Sequence, residues 1–399
     1  MSPSRLRRPG SRWGLAGWAL ALSLLLWLPV VAAGRPLAEL RRLPAAISAL
    51  AMVGPRLVAA GTLPDGRPWL AAFDPELQPL WERRIDSCGR CGLLAAVAVD
   101  ARRVALAGYV DFERSGREDG FLLLVDAESG ESLASRRVLA AAGGRFLALE
   151  VAADRMVAAG EAVTHGGAGV DPWLVWFDAR TLEPLREWQR REPLPAGAAV
   201  LAAGSDSIAV AGWTLAHGGP WPAGWFARLD PLDSTAPPRE KDAQRPLPFD
   251  VTALLALGNG TWLLAGQAGV PTASGERLAP QLRLARLDEG ARFALSAADG
   301  GEAIGLVTSP HGPLLVAATR QPTVQLPAVV VLAVEPVGLG VTALLSWRDG
   351  NRPIQPRVVA RTAVGDGLFV GGSYPETGGG SGERGWLVRL PLTPEPRNG

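Results

Sequence analysis

One motif, written seven times, constrains this 399-residue chain more than any other feature. Its plainest copy reads Val104-Ala105-Leu106-Ala107-Gly108, a polar loop, then Gly120-Phe121-Leu122-Leu123-Leu124-Val125-Asp126. The first half recurs as Leu57–Gly61, Met156–Gly160, Ile208–Gly212, Trp262–Gly266, Leu314–Ala318 and Leu368–Gly372. The second half recurs as Trp69–Asp74, Trp173–Asp178, Trp225–Asp230, Leu282–Asp288, Val329–Glu335 and Trp386–Pro391. The first-half copies end at 61, 108, 160, 212, 266, 318 and 372, so the steps run from 47 to 54 residues, one small sheet per repeat. Runs this short, apolar and bounded by Gly, Pro and Asp read as strands. They are apolar at successive positions, so both faces must be covered, and the neighbouring repeats are what covers them.

Two further strands complete each unit. A weaker apolar run precedes the first half, as at 47–53, 93–99, 146–151 and 251–257, and ends in a tight turn. Asn259-Gly260 and Asp366-Gly367 are hairpin signals at that junction. A polar, Arg-rich run follows the Asp, as in Leu80-Trp81-Glu82-Arg83-Arg84-Ile85, and mixed charge suits an outer edge in water. The seventh unit ends without such a strand, whereas 37–43 matches the outer-strand pattern and leads into the first unit. The fold predicted is therefore all-β: a seven-bladed β-propeller of four-stranded blades, closed by pairing the N-terminal strand into the last blade.

These repeats resemble those of bacterial exported β-propeller proteins. They are also similar to quinoprotein-type propeller repeats, whose inner strand, Asp and Gly turn recur here as Val125-Asp126-Ala127-Glu128-Ser129-Gly130. The resemblance covers all seven units and implies the fold, not an activity, since such repeats serve enzymes, scaffolds and surface proteins alike. One departure is that the outer-strand Trp of quinoprotein repeats stands only at Trp81, Trp188 and Trp347. No Cys precedes the domain, unlike the propeller lipoprotein of outer-membrane barrel assembly.

The chain divides into a signal segment at 1–34, the propeller at 35–392 and a disordered tail at 393–399. Arg5, Arg7, Arg8 and Arg12 precede the apolar run 15–31, and Val31-Ala32-Ala33-Gly34 offers small residues for signal peptidase. The alternative is an uncleaved N-terminal anchor, because the run is just long enough to span a bilayer. Either way the propeller lies outside the cytoplasm, periplasmic or secreted. A net charge of +1 excludes the electrostatic footprint of a nucleic-acid binder. Membrane contact is expected only if the segment stays uncleaved.

Each candidate for chemistry has a plainer reading beside it. Cys88 and Cys91, the two cysteines, pair as a small structural disulfide in an exported chain, and they lack the context of a redox motif. His165 and His217 each lie five residues after the blade Gly, in matching His-Gly-Gly contexts. They offer a paired-His site or, more plainly, a duplicated loop. The recurring Asp74, Asp126, Asp178, Asp230 and Asp288 read as turn caps, since one site does not need a carboxylate in every blade. Asp111, Glu113, Arg114, Arg117, Glu118 and Asp119 charge the loop of blade two, and Glu376, Glu383 and Arg384 that of blade seven; the plainer reading is a solvated loop. Trp221 stands in a Pro-flanked loop that could meet a glycan or peptide, while its neighbour Trp225 belongs to the core. No metal or cofactor motif is present: there is no H-E-x-x-H, G-x-S-x-G or dinucleotide fingerprint.

The function expected is non-enzymatic. The chain reads as a monomeric binding or scaffold module of the envelope that holds a protein or glycan on its long-loop face. That face is 61–68, 108–120, 160–172, 212–224, 266–281, 318–328 and 372–385. The alternative is an enzyme of quinoprotein-like, lyase or hydrolase type at the central channel mouth. It requires carboxylates, Arg and His gathered there, whereas the innermost strands are mostly Ala, Val, Leu and Gly.

Overall fold

The apolar half-motifs become the second and third strands of seven antiparallel sheets. The computed structural model describes residues 39–392, apart from 87, 112–116, 153, 165–168, 205–206, 216–220, 231–238, 241–243, 272–277, 289–292, 299–300, 322–323, 351, 363–366 and 376–382. Residues 1–34, expected as a signal segment, and 393–399, expected as a tail, lie outside the described residues, as do Glu113, Arg114, His165, His217 and Glu376.

A single strand, β1 (Glu39–Leu43), precedes the blades. Blade one is β2 (Ala46–Val53), β3 (Arg56–Thr62), β4 (Pro68–Phe73) and β5 (Pro79–Arg84). Blade two is β6 (Arg90–Ala98), β7 (Arg103–Asp111), β8 (Asp119–Asp126) and β9 (Ser132–Val138). Blade three is β10 (Gly144–Ala152), β11 (Arg155–Val163), β12 (Val170–Asp178) and β13 (Pro184–Gln189). Blade four is β14 (Ala196–Ala203), β15 (Ile208–Thr214) and β16 (Ala223–Asp230), its outer edge split into β17 (Arg239–Glu240) and β18 (Gln244–Leu247). Blade five is β19 (Asp250–Gly258), β20 (Thr261–Pro271), β21 (Leu278–Leu287) and β22 (Phe293–Ala298). Blade six is β23 (Glu302–Ser309), β24 (Gly312–Gln321), β25 (Val324–Val334) and β26 (Val341–Trp347). Blade seven is β27 (Gln355–Arg361), β28 (Gly367–Pro375) and β29 (Glu383–Pro391), and β1 is its outer strand. Leu40 lies opposite Val388 and Arg42 opposite Trp386, so the chain ends close the ring as the sequence predicts.

The core is seven apolar layers, one between each pair of neighbouring blades. Alternation within one strand explains why the motif is apolar throughout. Val104 and Leu106 pack toward blade one, and Ala105 and Ala107 toward blade three. The outer-strand Trp81 bridges blades too, its indole N–H donating to the carbonyl of Ala127 at 3.0 Å while its ring covers Gly130.

Every innermost strand carries a β-bulge at the same place, at Ser48, Leu94, Leu147, Ala199, Thr252, Ile304 and Arg357. The bulge bends that strand, so the carbonyl two residues earlier comes close to the second strand. A Cβ on Gly61, Gly108, Gly160, Gly212, Gly266 or Gly372 would collide with it, so the terminal Gly of the motif has a steric cause. In blade six this register puts Ala317, opposite the pre-bulge Ala303, at the glycine position. The sequence reading places Ala318 there, one residue too far.

Asp74, Asp126 and Asp178 are turn caps, whereas Asp288 accepts through Oδ1 from Arg286 Nε. Asp74 Oδ1 accepts from the N–H groups of Glu76 and Gln78, Asp126 Oδ1 from Glu128 and Ser129, and Asp178 Oδ1 from Arg180 and Thr181. The bonds to Ser129 and Glu128, with the Arg102 guanidinium, hold the Asp126 carboxyl down to about 2. Cys88 and Cys91 form a disulfide where blade one meets blade two, both buried in the shared layer.

Candidate functional site

Innermost strands start at the long-loop face, so the residue two before each bulge stands at the channel mouth. In blade order these are Ala46, Gly92, Arg145, Gly197, Asp250, Glu302 and Gln355. Their partners on the second strands are Thr62, Tyr109, Glu161, Trp213, Gln267, Ala318 and Ser373. The strand interiors are aliphatic as the sequence predicts, but the mouth carries Arg145, Glu161, Asp250, Gln267, Glu302, Gln355 and Ser373.

Blade three supplies the centre of the arrangement. Arg145 donates from Nε and Nη2 to Glu161 Oε2 at 3.1 and 3.0 Å, and Trp213 Nε1 of blade four donates to Glu161 Oε1 at 3.2 Å. Gly92 and Gly197 are what let aromatic rings lie across the flanking blades. A Cβ on Gly92 would collide with the Tyr109 ring, and one on Gly197 would meet Trp213 Nε1 at 2.7 Å.

Beside this row opens a cleft of about 400 Å³ between blades two and three. Its charged lining is Arg117, Glu118, Arg145 and Glu161; Gly143, Gly144, Val163 and Val170 form its walls. Arg117 is held at the rim by the Ala140 carbonyl at 3.0 Å and by Asp119 at 3.6 Å. The fully buried Asp119 is bound through Oδ2 by Arg137, which anchors the loop base. Burial pushes the Glu118 carboxyl up, Arg145 opposes this, and Asp111 and Glu161 add to it. Tyr109 is pushed up by burial and by Glu118. On the far side, burial raises the Asp250 carboxyl to about 6, opposed by the Gln267 N–H and reinforced by Glu302.

Of the described candidate residues, Arg117 lines this cleft. Asp111 is buried in the same blade, opposite Arg90. Trp221 belongs to blade four and Arg384, opposite Tyr374, to blade seven, so the structure does not bring these into the cleft. Sequence reasoning reaches Glu118 only as part of the charged loop of blade two, and it misses Arg145, Glu161, Trp213 and Asp250. The available signal was a polar residue at one position of the innermost strand, visible only once the bulges are aligned. Among the described residues no three of His, Cys, Asp and Glu gather as a metal site. Nor is any helix there long and apolar enough to cross a membrane.

The class these features define is a seven-bladed β-propeller. No family model and no curated sequence matches the chain. Among solved structures it is similar to hydrazine synthase of Kuenenia stuttgartiensis, at 12% identity and TM-score 0.57, over 82% of this chain and 92% of that one. It is also similar to the polysaccharide lyase Uly1, at 9% identity and TM-score 0.56, over 87% and 90%. Quinohemoprotein alcohol dehydrogenase of Comamonas testosteroni gives 12% identity and TM-score 0.49, over 91% and 78%. At these identities the likeness is one of fold alone.

Proposed function

We propose that this protein is an exported, non-enzymatic binding module that holds an envelope ligand, protein or glycan, on its long-loop face. The observation that carries the reading is the cleft between blades two and three. It is concave and lined by a few placed polar groups, and rigid strands rather than loops position Arg145 and Glu161. Its charges are already paired or balanced, as in a site that recognises a shape. The propeller acts as a monomer in the periplasm or beyond, released after cleavage near residue 34. N-terminal sequencing of the exported protein tests the last point, since a start at Gly34 or Arg35 excludes the anchor.

The binding reading is tested by capture from the protein's own envelope fraction. It expects a specific partner that is lost when loops 160–172 and 212–224 are shortened. Turnover of a small molecule with no such partner would sink it. One observation favours the enzymatic alternative. Asp250, with its carboxyl at about 6, lies beside Glu302, and a carboxyl that changes charge near neutral pH can serve as a general acid or base. Loss of any turnover in Asp250→Asn, with binding retained, would assign that role.

A further inference from the structure

We propose that the cleft between blades two and three is a saccharide site, taking an uncharged sugar unit of a longer glycan. The inference rests on the binding-module reading and names its ligand. Size comes first: about 400 Å³ falls within the range of roughly 300–1,000 Å³ usual for small-ligand sites.

Charge comes next. Around the cleft Arg90, Arg117 and Arg145 are matched by Asp111, Glu118 and Glu161. No net field draws in an anion or a cation, and a phosphate or polyamine would break an existing pair.

The open hydrogen-bonding groups then select the chemistry. Both Glu161 oxygens are taken, by Arg145 and by Trp213. Arg145 spends Nε and Nη2 on that bond and keeps Nη1 as a donor. Glu118 lines the same cleft, and its carboxylate accepts no hydrogen bond from any described residue. One strong acceptor and one fixed donor therefore lie within one cleft. Adjacent hydroxyls answer both, because each hydroxyl donates and accepts. A hydroxyl donating to Glu118 also stabilises a carboxylate that burial otherwise disfavours.

The third element is aromatic. Tyr109 and Trp213 flank the Arg145–Glu161 pair, their rings lying over Gly92 and Gly197. Such surfaces bury an apolar ring face while leaving its polar edge in water. A pyranose has that shape, with C–H groups on its face and hydroxyls around its edge. Neither ring lines the cleft itself, so it is the further units of a longer glycan that would reach them.

The test is calorimetric titration of the full exported chain with four probes: cellotriose, maltotriose, chitotriose and, as the charged control, trigalacturonate. At least one neutral trisaccharide should bind saturably. Glu118→Ala should weaken it by roughly tenfold or more, the size of a lost charged hydrogen bond. Tyr109→Leu should also weaken binding, and neither variant should shift the melting temperature enough to signal unfolding. Binding of the charged probe alone, binding of none, or equal binding by Glu118→Ala overturns the inference. If protein capture is retained while no sugar binds, the saccharide site falls and the binding module stands. If a trisaccharide is cleaved, the non-enzymatic reading falls and the site stands.

Discussion

At the residue scale, the leucines at positive φ, Leu77, Leu182 and Leu339, carry strain that the packing outweighs. Leu182 and Leu339 follow their turn acids by four residues and adopt φ of 59° and 54°, where equivalent Gly130 has 74°. A leucine there costs on the order of 1–2 kcal/mol. Both side chains are about 1% exposed and packed into inter-blade layers, which offsets that cost. Leu182→Ala keeps the strain and loses the packing, so denaturant unfolding should show a loss of about 2–5 kcal/mol. Gly160→Ala drives a methyl into the Arg145 carbonyl and should lose about 1–3 kcal/mol in the same measurement. Glu150, on innermost strand β10, gives a pH signature. Burial lifts its carboxyl to about 7, with no cation to oppose it. The folded state therefore holds a proton that the unfolded chain has released, and stability falls as pH rises from about 4.5 through about 7. Glu150→Gln should stabilise the fold at pH 8 by an amount on the order of 2–3 kcal/mol, seen as a higher melting temperature, and change little at pH 4.

At the element scale the strands were legible and the mouth was not, for one physical reason. A strand covered on both faces declares itself as an unbroken apolar run, which is how Val104–Gly108 and its copies gave the blade count. The seam was legible because Leu40 and its neighbours match an outer strand with no sheet of its own. The mouth depends on register. Arg145, Asp250 and Glu302 each open a weak strand with one polar residue, and only the bulges align them into a ring. A bulge leaves no residue-type signature beyond the Gly opposite it, and blade six, with Ala317, lacks even that. Removing 39–43 should strip the closing strand from β29 and expose an edge. The variant should melt earlier and self-associate, as size-exclusion with light scattering would show. The Cys88–Cys91 bridge closes so short a loop that its reduction should cost only about 2 kcal/mol, read by melting with and without reductant.

At the scale of the whole molecule, seven near-identical blades make a rigid, closed support on which the two faces differ. One face carries short hairpins such as the exposed turn at His311. The other carries the long loops, the polar mouth and the cleft walled by blades two and three. The fold is specified by what the repeats share, and the ligand by the few residues in which blades two to five depart from it. The central claim is that this face and this cleft hold the ligand. The most direct measurement replaces Arg117, and separately His311, with a photo-crosslinking residue in the full-length protein and illuminates intact cells. The account predicts a discrete adduct from position 117 and none from position 311. Adducts from position 311 alone, or equally from both, would contradict it.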